Sequence, residues 1–271
     1  MSERPRLFVT IEGYAVEGGL DIAGGPATCY SPTIALGRHA GPGDADDLWH
    51  EYERVLALVP ELGFDGVRLT LEWARIEPRP GEVDESALVR YREVVVFARS
   101  LGLGVTSVLV DAVWPSWAGQ EAWLLPWVIP CVIAHAQRVV SYLGDVLSGV
   151  LIFSQPRELV TNGFLGAGAP PWRRSALSSA GFAHAQIAAI TAALRADETV
   201  SPLLVNSSAV ATLDLSPSDL ARARETLAVD ELYVRSLLRG SGPTAVGPGL
   251  IVRHAGEWRV HAPEELLEVL R

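Results

Sequence analysis

Short apolar runs rich in β-branched residues alternate along this chain with longer stretches whose apolar positions recur at helical spacing. Buried parallel strands read as continuous apolar runs, and amphipathic helices as a stripe at intervals of three and four. On that basis strands are expected near 7–12, 66–71, 104–110, 149–153 and 202–206. Helices are expected near 46–62, 86–101, 127–143, 176–195 and 216–238. Gly and Pro punctuate the joins, as at Gly102, Gly104, Pro170 and Pro171. After Gly240 come an apolar run, Leu250-Ile251-Val252, a turn at Ala255-Gly256 and a final helix from Pro263. Repeated strand–helix units predict an α/β fold with a parallel sheet. With no linker and no low-complexity tract, residues 1–271 are expected to form one domain.

Composition narrows the function classes. The chain has 271 residues, 49% hydrophobic and 20% charged, which suits an enzyme-sized globular domain. A net charge of -10 argues against nucleic acid as a partner, because phosphate binding uses clustered Arg and Lys. The most apolar stretch, Trp123 to Ala134, carries Pro126 and Pro130 and falls short of the ~20 residues that span a bilayer. No membrane association is therefore expected. The first residues show no signal peptide, and Cys29 and Cys131 read as two reduced thiols, so a cytoplasmic location is expected. No His pair stands with an acid at metal-binding intervals, so neither a metal nor a cofactor is called for.

The most informative segment is Ile152-Phe153-Ser154-Gln155-Pro156. It is similar to the Thr-Phe-Asn-Glu-Pro that ends the fourth strand in family 1 glycoside hydrolases. The run from Gly63 to Pro78 resembles the family's second strand, Arg-Phe-Ser-Ile-Ser-Trp-Pro-Arg-Ile, in register at Arg68, Trp73 and Arg75. Tyr14-Ala15-Val16-Glu17-Gly18 is similar to the first-strand Gln-Ile-Glu-Gly, and Asp111-Ala112-Val113-Trp114-Pro115 to the third-strand His-Trp-Asp-Leu-Pro. The resemblance implies a (β/α) TIM-type barrel of the β-glucosidase kind, a fold that typically needs ~250 residues. Trp258 to Arg271 looks like the helix before the family's seventh strand. It implies a reduced or irregularly closed barrel without strands seven and eight, with a hairpin over 246–261 or a second subunit at the opening.

The same resemblance locates what has changed. Retaining glycosidases use two carboxyl groups roughly 5–5.5 Å apart, one as nucleophile and one as acid/base. Here the family's acid/base Glu corresponds to Gln155, and an amide neither protonates a leaving oxygen nor activates water. The nucleophile motif, Ile/Val-Thr-Glu-Asn-Gly, does not occur in these residues. The Gln and His that hold the sugar in the family correspond to Ala15 and Asp111, while Glu72 stands where the family has Ser. Barrel strands direct their C-terminal ends toward one site. Glu72, Asp111 and Gln155 are therefore the candidate catalytic set, one carboxyl with raised proton affinity and the other charged. Arg68 would serve as charge partner and Asn206 as a neutral donor or acceptor. Alternatively, Glu72 pairs with Arg68 or Arg75 and Asp111 caps a loop. Glu17 is assigned a structural role.

Trp73, beside Glu72, and Trp114, Trp117 and Trp172, on loops after strands three and four, are candidates for stacking on a ligand. Loop packing is the alternative. Three functions stay open. The leading one is a recruited barrel performing non-hydrolytic acid/base chemistry (cyclisation, dehydration or isomerisation) on a small molecule, with specialised metabolism as its expected setting. The others are a catalytically inactive ligand- or partner-binding barrel and a residual hydrolase with relocated carboxylates. The ligand is expected to be a glycoside, a polyol or an aromatic natural product, and a helical face left apolar suits a homodimer.

Overall fold

The computed structural model describes residues 6–166, 168–173, 177–200, 203–204, 250–254 and 257–261. Its strands are β1 Phe8–Ile11, β2 Gly66–Thr70, β3 Gly104–Val110, β4 Gly149–Phe153 and β5 Leu203–Leu204. They form one parallel sheet in the order β1-β2-β3-β4-β5. The helices are α1 Gly13–Val16, α2 Ser31–Ala35, α3 Leu48–Glu61, α4 Trp73–Ile76, α5 Glu85–Ser100, α6 Val128–Leu143, α7 Pro156–Thr161 and α8 Leu177–Ala196. Further on, β6 Leu250–His254 and β7 Glu257–His261 pair as an antiparallel hairpin in a sheet of their own, the hairpin being one of the alternatives given for 246–261. Among the described residues the sheet does not close, since β1 and β5 each pair on one side only. The helix expected at 216–238 and the final helix from Pro263 lie outside the described residues.

The chain divides into two compact units, residues 1–154 with 194–204, and residues 155–193 with 205–271. In the first, every residue of β3 and β4 is buried, which accounts for their largely apolar sequence, interrupted only by Thr106 and Ser107 in β3. In β1 Phe8 is 38% exposed, in keeping with a sheet edge. A side chain on Gly66 would strike the Phe8 ring and the Gly104 carbonyl, so the adjacent glycines of β2 and β3 leave the space that this ring fills. α5 buries Ala87, Leu88, Tyr91, Val94, Val95 and Ala98, and α6 buries Val128, Val132, His135, Ala136, Val139 and Leu143. Both sets follow the helical repeat and form single stripes.

The start of α5 is fixed by its N-cap. Asp84 accepts from the backbone N–H groups of Ser86 at 2.9 Å and Ala87 at 3.2 Å, two donors a helix start leaves unsatisfied. The Ser86 hydroxyl, which also donates to Asp84, lowers the proton affinity of its carboxyl most, and the two N–H groups add to that against the opposing effect of burial. Asp84→Ala is expected to cost about 1 kcal/mol in chemical denaturation. A depressed carboxyl contributes stability present above its unfolded proton affinity and lost as pH falls through the folded one. The deficit of the variant should therefore shrink in acid.

In the second unit, Gln155 is the N-cap of α7, whose first residue is Pro156. Its side chain makes no capping hydrogen bond. A five-residue π turn, Asn162–Gly166, follows α7. A side chain on Gly163 would meet the Pro170 carbonyl at 2.6 Å.

Candidate functional site

Three carboxylates of the first unit, Glu17, Glu72 and Asp111, gather beyond the ends of β1, β2 and β3. Asp111 follows the last residue of β3 and is half-buried. The Thr70 hydroxyl, from the end of β2, donates to its Oδ2 at 3.1 Å. The Ala112 N–H and the Ser154 hydroxyl, the latter just past β4, donate to the same carboxylate. Burial pushes the Asp111 carboxyl above its ordinary value, and these donors and the Arg68 charge pull against that rise. Arg68 lies on β2 and its Nε donates to Thr10 Oγ1 on β1 at 3.2 Å. The ends of four strands thus contribute to the surroundings of one accessible carboxylate.

Glu72 follows β2 and is 1% exposed. Its own N–H donates to Tyr91 Oη at 2.9 Å, and its carboxylate accepts from the Tyr14 N–H. The contact with the β1–α1 turn is so close that a Cβ on Gly13 would sit 2.5 Å from Glu72 Oε1. The carboxyl is pushed well above the carboxylate range, first by burial, then by the charge of Glu17 and then by that of Asp111. The Tyr14 N–H and Arg75 oppose this with smaller effects. Both carboxyls bind their protons more tightly than free ones, Glu72 by far the more enclosed of the two. A side chain so enclosed holds its neighbours in place and does not reach a ligand.

The ion pair offered as the alternative for Glu72 forms elsewhere. Arg75 donates from Nε to Glu17 Oε2 at 3.0 Å and from Nη2 to the Gly18 carbonyl at 2.6 Å. Its guanidinium lies 3.9 Å above the Trp49 ring. Tyr91 Oη donates to Glu17, at 2.9 Å to Oε1 and 3.0 Å to Oε2. Burial raises the Glu17 carboxyl, and Arg75 and Tyr91 counter it. Glu17 is therefore structural, as assigned.

Two aromatic candidates need correction. Trp73 and Trp114 are each 1% exposed, so neither ring has a free face for a ligand. Trp73 Nε1 donates to Glu77 Oε2 at 3.0 Å, and its ring is stacked on His135 and edged by Trp117. Trp114 Nε1 donates to the Gly119 carbonyl at 2.7 Å, with its ring edge-on to Trp123. Local acceptors satisfy both indoles and let the rings pack inward. Trp117 is half-buried; its Nε1 donates to the Glu77 carbonyl at 2.7 Å and its ring stacks on Trp127, itself 44% exposed. Trp172 belongs to the second unit, where its N–H donates to the Ala169 carbonyl at 2.6 Å. Gln155 is exposed and opens that same unit, while Asn206 lies outside the described residues.

Thr70, Ser154, Tyr91 and Gly13 complete these surroundings and were not singled out from the sequence. Tyr91 falls on the apolar stripe of α5 and reads there as core. His135 was missed as well. It is fully buried with neither ring nitrogen well hydrogen-bonded, and burial brings its proton affinity down to about 3. A neutral imidazole in the core follows.

The family model described as Glycosyl hydrolase family 1 matches residues 9–244. A beta-glucosidase from Agrobacterium sp. (strain ATCC 21400) is 29% identical over 181 residues, covering 66% of this chain and 39% of that protein. Beta-glucosidase 40 of Arabidopsis thaliana is 26% identical over 130 residues, or 46% of this chain and 26% of its own. The chain thus spans less than half the length of these curated relatives. Among solved structures, a beta-glycosidase from Pyrococcus horikoshii superposes with a TM-score of 0.70 at 19% identity, covering 95% of this chain and 58% of that one. Virulence factor SghA in complex with its substrate analog salicin gives a TM-score of 0.64 at 24% identity, over 84% of this chain and 53% of that one. These likenesses make the parallel sheet and its helices part of a TIM-type barrel. The chain belongs to glycosyl hydrolase family 1.

Proposed function

We propose that this barrel binds a small polyhydroxylated or aryl-glycoside-like molecule and moves a proton on it without cleaving a glycosidic bond. One observation carries the reading. At the family's acid/base position the chain has the amide Gln155, while its accessible acid is Asp111, at the end of β3. Asp111 accepts from Thr70, Ala112 and Ser154, which orient it, and partial burial raises its proton affinity toward that of a working general base. Arg68 supplies positive charge beside it. Cyclisation, dehydration and isomerisation all need a positioned proton acceptor and no covalent glycosyl intermediate.

Salicin, the substrate analog held by a related barrel, is a reasonable first ligand, followed by free polyols and aromatic natural products. The test is turnover of whichever compound the wild type converts, compared in Asp111→Asn and Glu72→Gln. Loss in Asp111→Asn with Glu72→Gln largely active supports the assignment. Full turnover in both would sink it. The burial of Glu72 favours a second reading, a barrel that binds such a ligand without converting it. Saturable binding with no product over prolonged incubation would select that reading.

A further inference from the structure

The turn after β1 and the turn after β2 are joined by an arrangement that the family motif does not contain. The Glu72 carboxyl is seated against the Gly13 backbone, where only a hydrogen leaves room for it, and accepts from the Tyr14 N–H. α1, which starts at Gly13, carries Ala15 and leads into Glu17.

The charges around this contact do not balance. Facing Glu72 are Glu17 after α1, Arg75 in α4, Tyr91 in α5, Asp111 after β3 and Cys29 in the loop before α2. Arg75 is the cation of this buried group, and it is committed to Glu17, the Gly18 carbonyl and the Trp49 face. Tyr91 Oη donates to Glu17 and only accepts at Glu72, from the backbone N–H. Glu17 therefore has a paired counter-charge, while Glu72 feels only the smaller pull of Arg75. An enclosed carboxyl in that position keeps its proton, and ionising it in place leaves an uncompensated buried charge.

We propose that the Glu72–Gly13–Tyr14 contact is a pH-operated latch that holds the β1–α1 turn against the β2–α4 turn, closed at neutral pH and opened by alkali. The sign follows from linkage. A carboxyl that binds its proton more tightly when folded favours the closed form at low pH, and that preference is lost as pH rises through its folded value. Opening that releases one proton grows about tenfold per pH unit between the open-form and closed-form values, and levels off above the latter.

The latch is read by hydrogen exchange at the amides of residues 13–17, corrected for the intrinsic rate, from about pH 6 to about pH 10. No ligand is needed, so the outcome is independent of the proposed chemistry. Wild-type protection at 13–17 should fall with rising pH while the α6 amides stay protected, and Glu72→Gln, which cannot ionise, should keep it. Asp111→Asn removes a like charge, lowers the proton affinity of the closed form and should reduce the extent of opening reached in alkali. Gly13→Ala, which occupies the seat of the carboxyl, should expose the turn already at neutral pH. The same pH-dependent loss in Glu72→Gln, or flat protection in the wild type, overturns the latch. If Glu72→Gln does not fold, unchanged protection in Gly13→Ala overturns it equally.

Discussion

Replacing Arg75 with alanine is expected to destabilise the fold by about 3–5 kcal/mol, the usual cost of removing one partner of a buried ion pair. Arg75 is 7% exposed and ties three groups together: the Glu17 carboxylate, the Gly18 carbonyl and the Trp49 ring. Its loss leaves Glu17 enclosed with only the Tyr91 hydroxyl as donor. Glu17 can then escape by taking up a proton, so the deficit should be larger at pH 8 than at pH 5. The sign is that of a carboxyl with raised proton affinity, whose stabilising effect fades as pH rises. Replacing the pair together, Glu17→Gln with Arg75→Met, should recover much of the loss, because an uncharged filling avoids the desolvation of both charges and the amide at position 17 still accepts from Tyr91. Urea unfolding of the three proteins at the two pH values measures all of this.

The second large effect is on activity. Asp111→Asn is expected to lower turnover by about 10²–10⁴-fold, the range for losing a positioned proton-transfer group. The amide can accept from Thr70 as the carboxylate does, so folding and ligand affinity should change little. In the wild type the base must be ionised, and burial raises its proton affinity. The acid limb of the rate profile should therefore lie above the pH at which an ordinary Asp ionises. Rate profiles of the two proteins with one accepted compound check both statements. A variant with unchanged turnover, or a wild-type limb at the ordinary Asp value, contradicts them.

The backbone was largely legible in the sequence. β3 and β4 occupy the expected 104–110 and 149–153, and α3, α5, α6 and α8 lie within about two residues of their expected ranges. Those segments are long, periodic and bounded by Gly or Pro, which is where hydrophobic patterning is strongest. The hairpin at β6 and β7 was legible for the same reason. Side-chain environments were much less so. Nothing in Leu71-Glu72-Trp73 announces that the Glu turns beneath Gly13 and the Trp into the core, since both depend on partners distant in sequence. Arg75 finds Glu17 across 58 positions. The tryptophans looked alike in sequence, yet the indoles of Trp73 and Trp114 reach acceptors four and five residues ahead and pack inward, while Trp127 stays exposed. Asp111 was found because the resemblance marked its position, not because a pattern did.

The most direct measurement is proton NMR of the wild-type chain and Asp111→Asn in deuterated water with salicin and a panel of related polyols and aromatic compounds. It reads solvent deuterium entering carbon positions and release of the aglycone in the same sample. The account predicts deuterium incorporation or an isomerised, cyclised or dehydrated product with the wild type, its loss in Asp111→Asn, and no aglycone release by either. Aglycone release by the wild type without deuterium incorporation would contradict it and return the chain to ordinary glycoside hydrolysis.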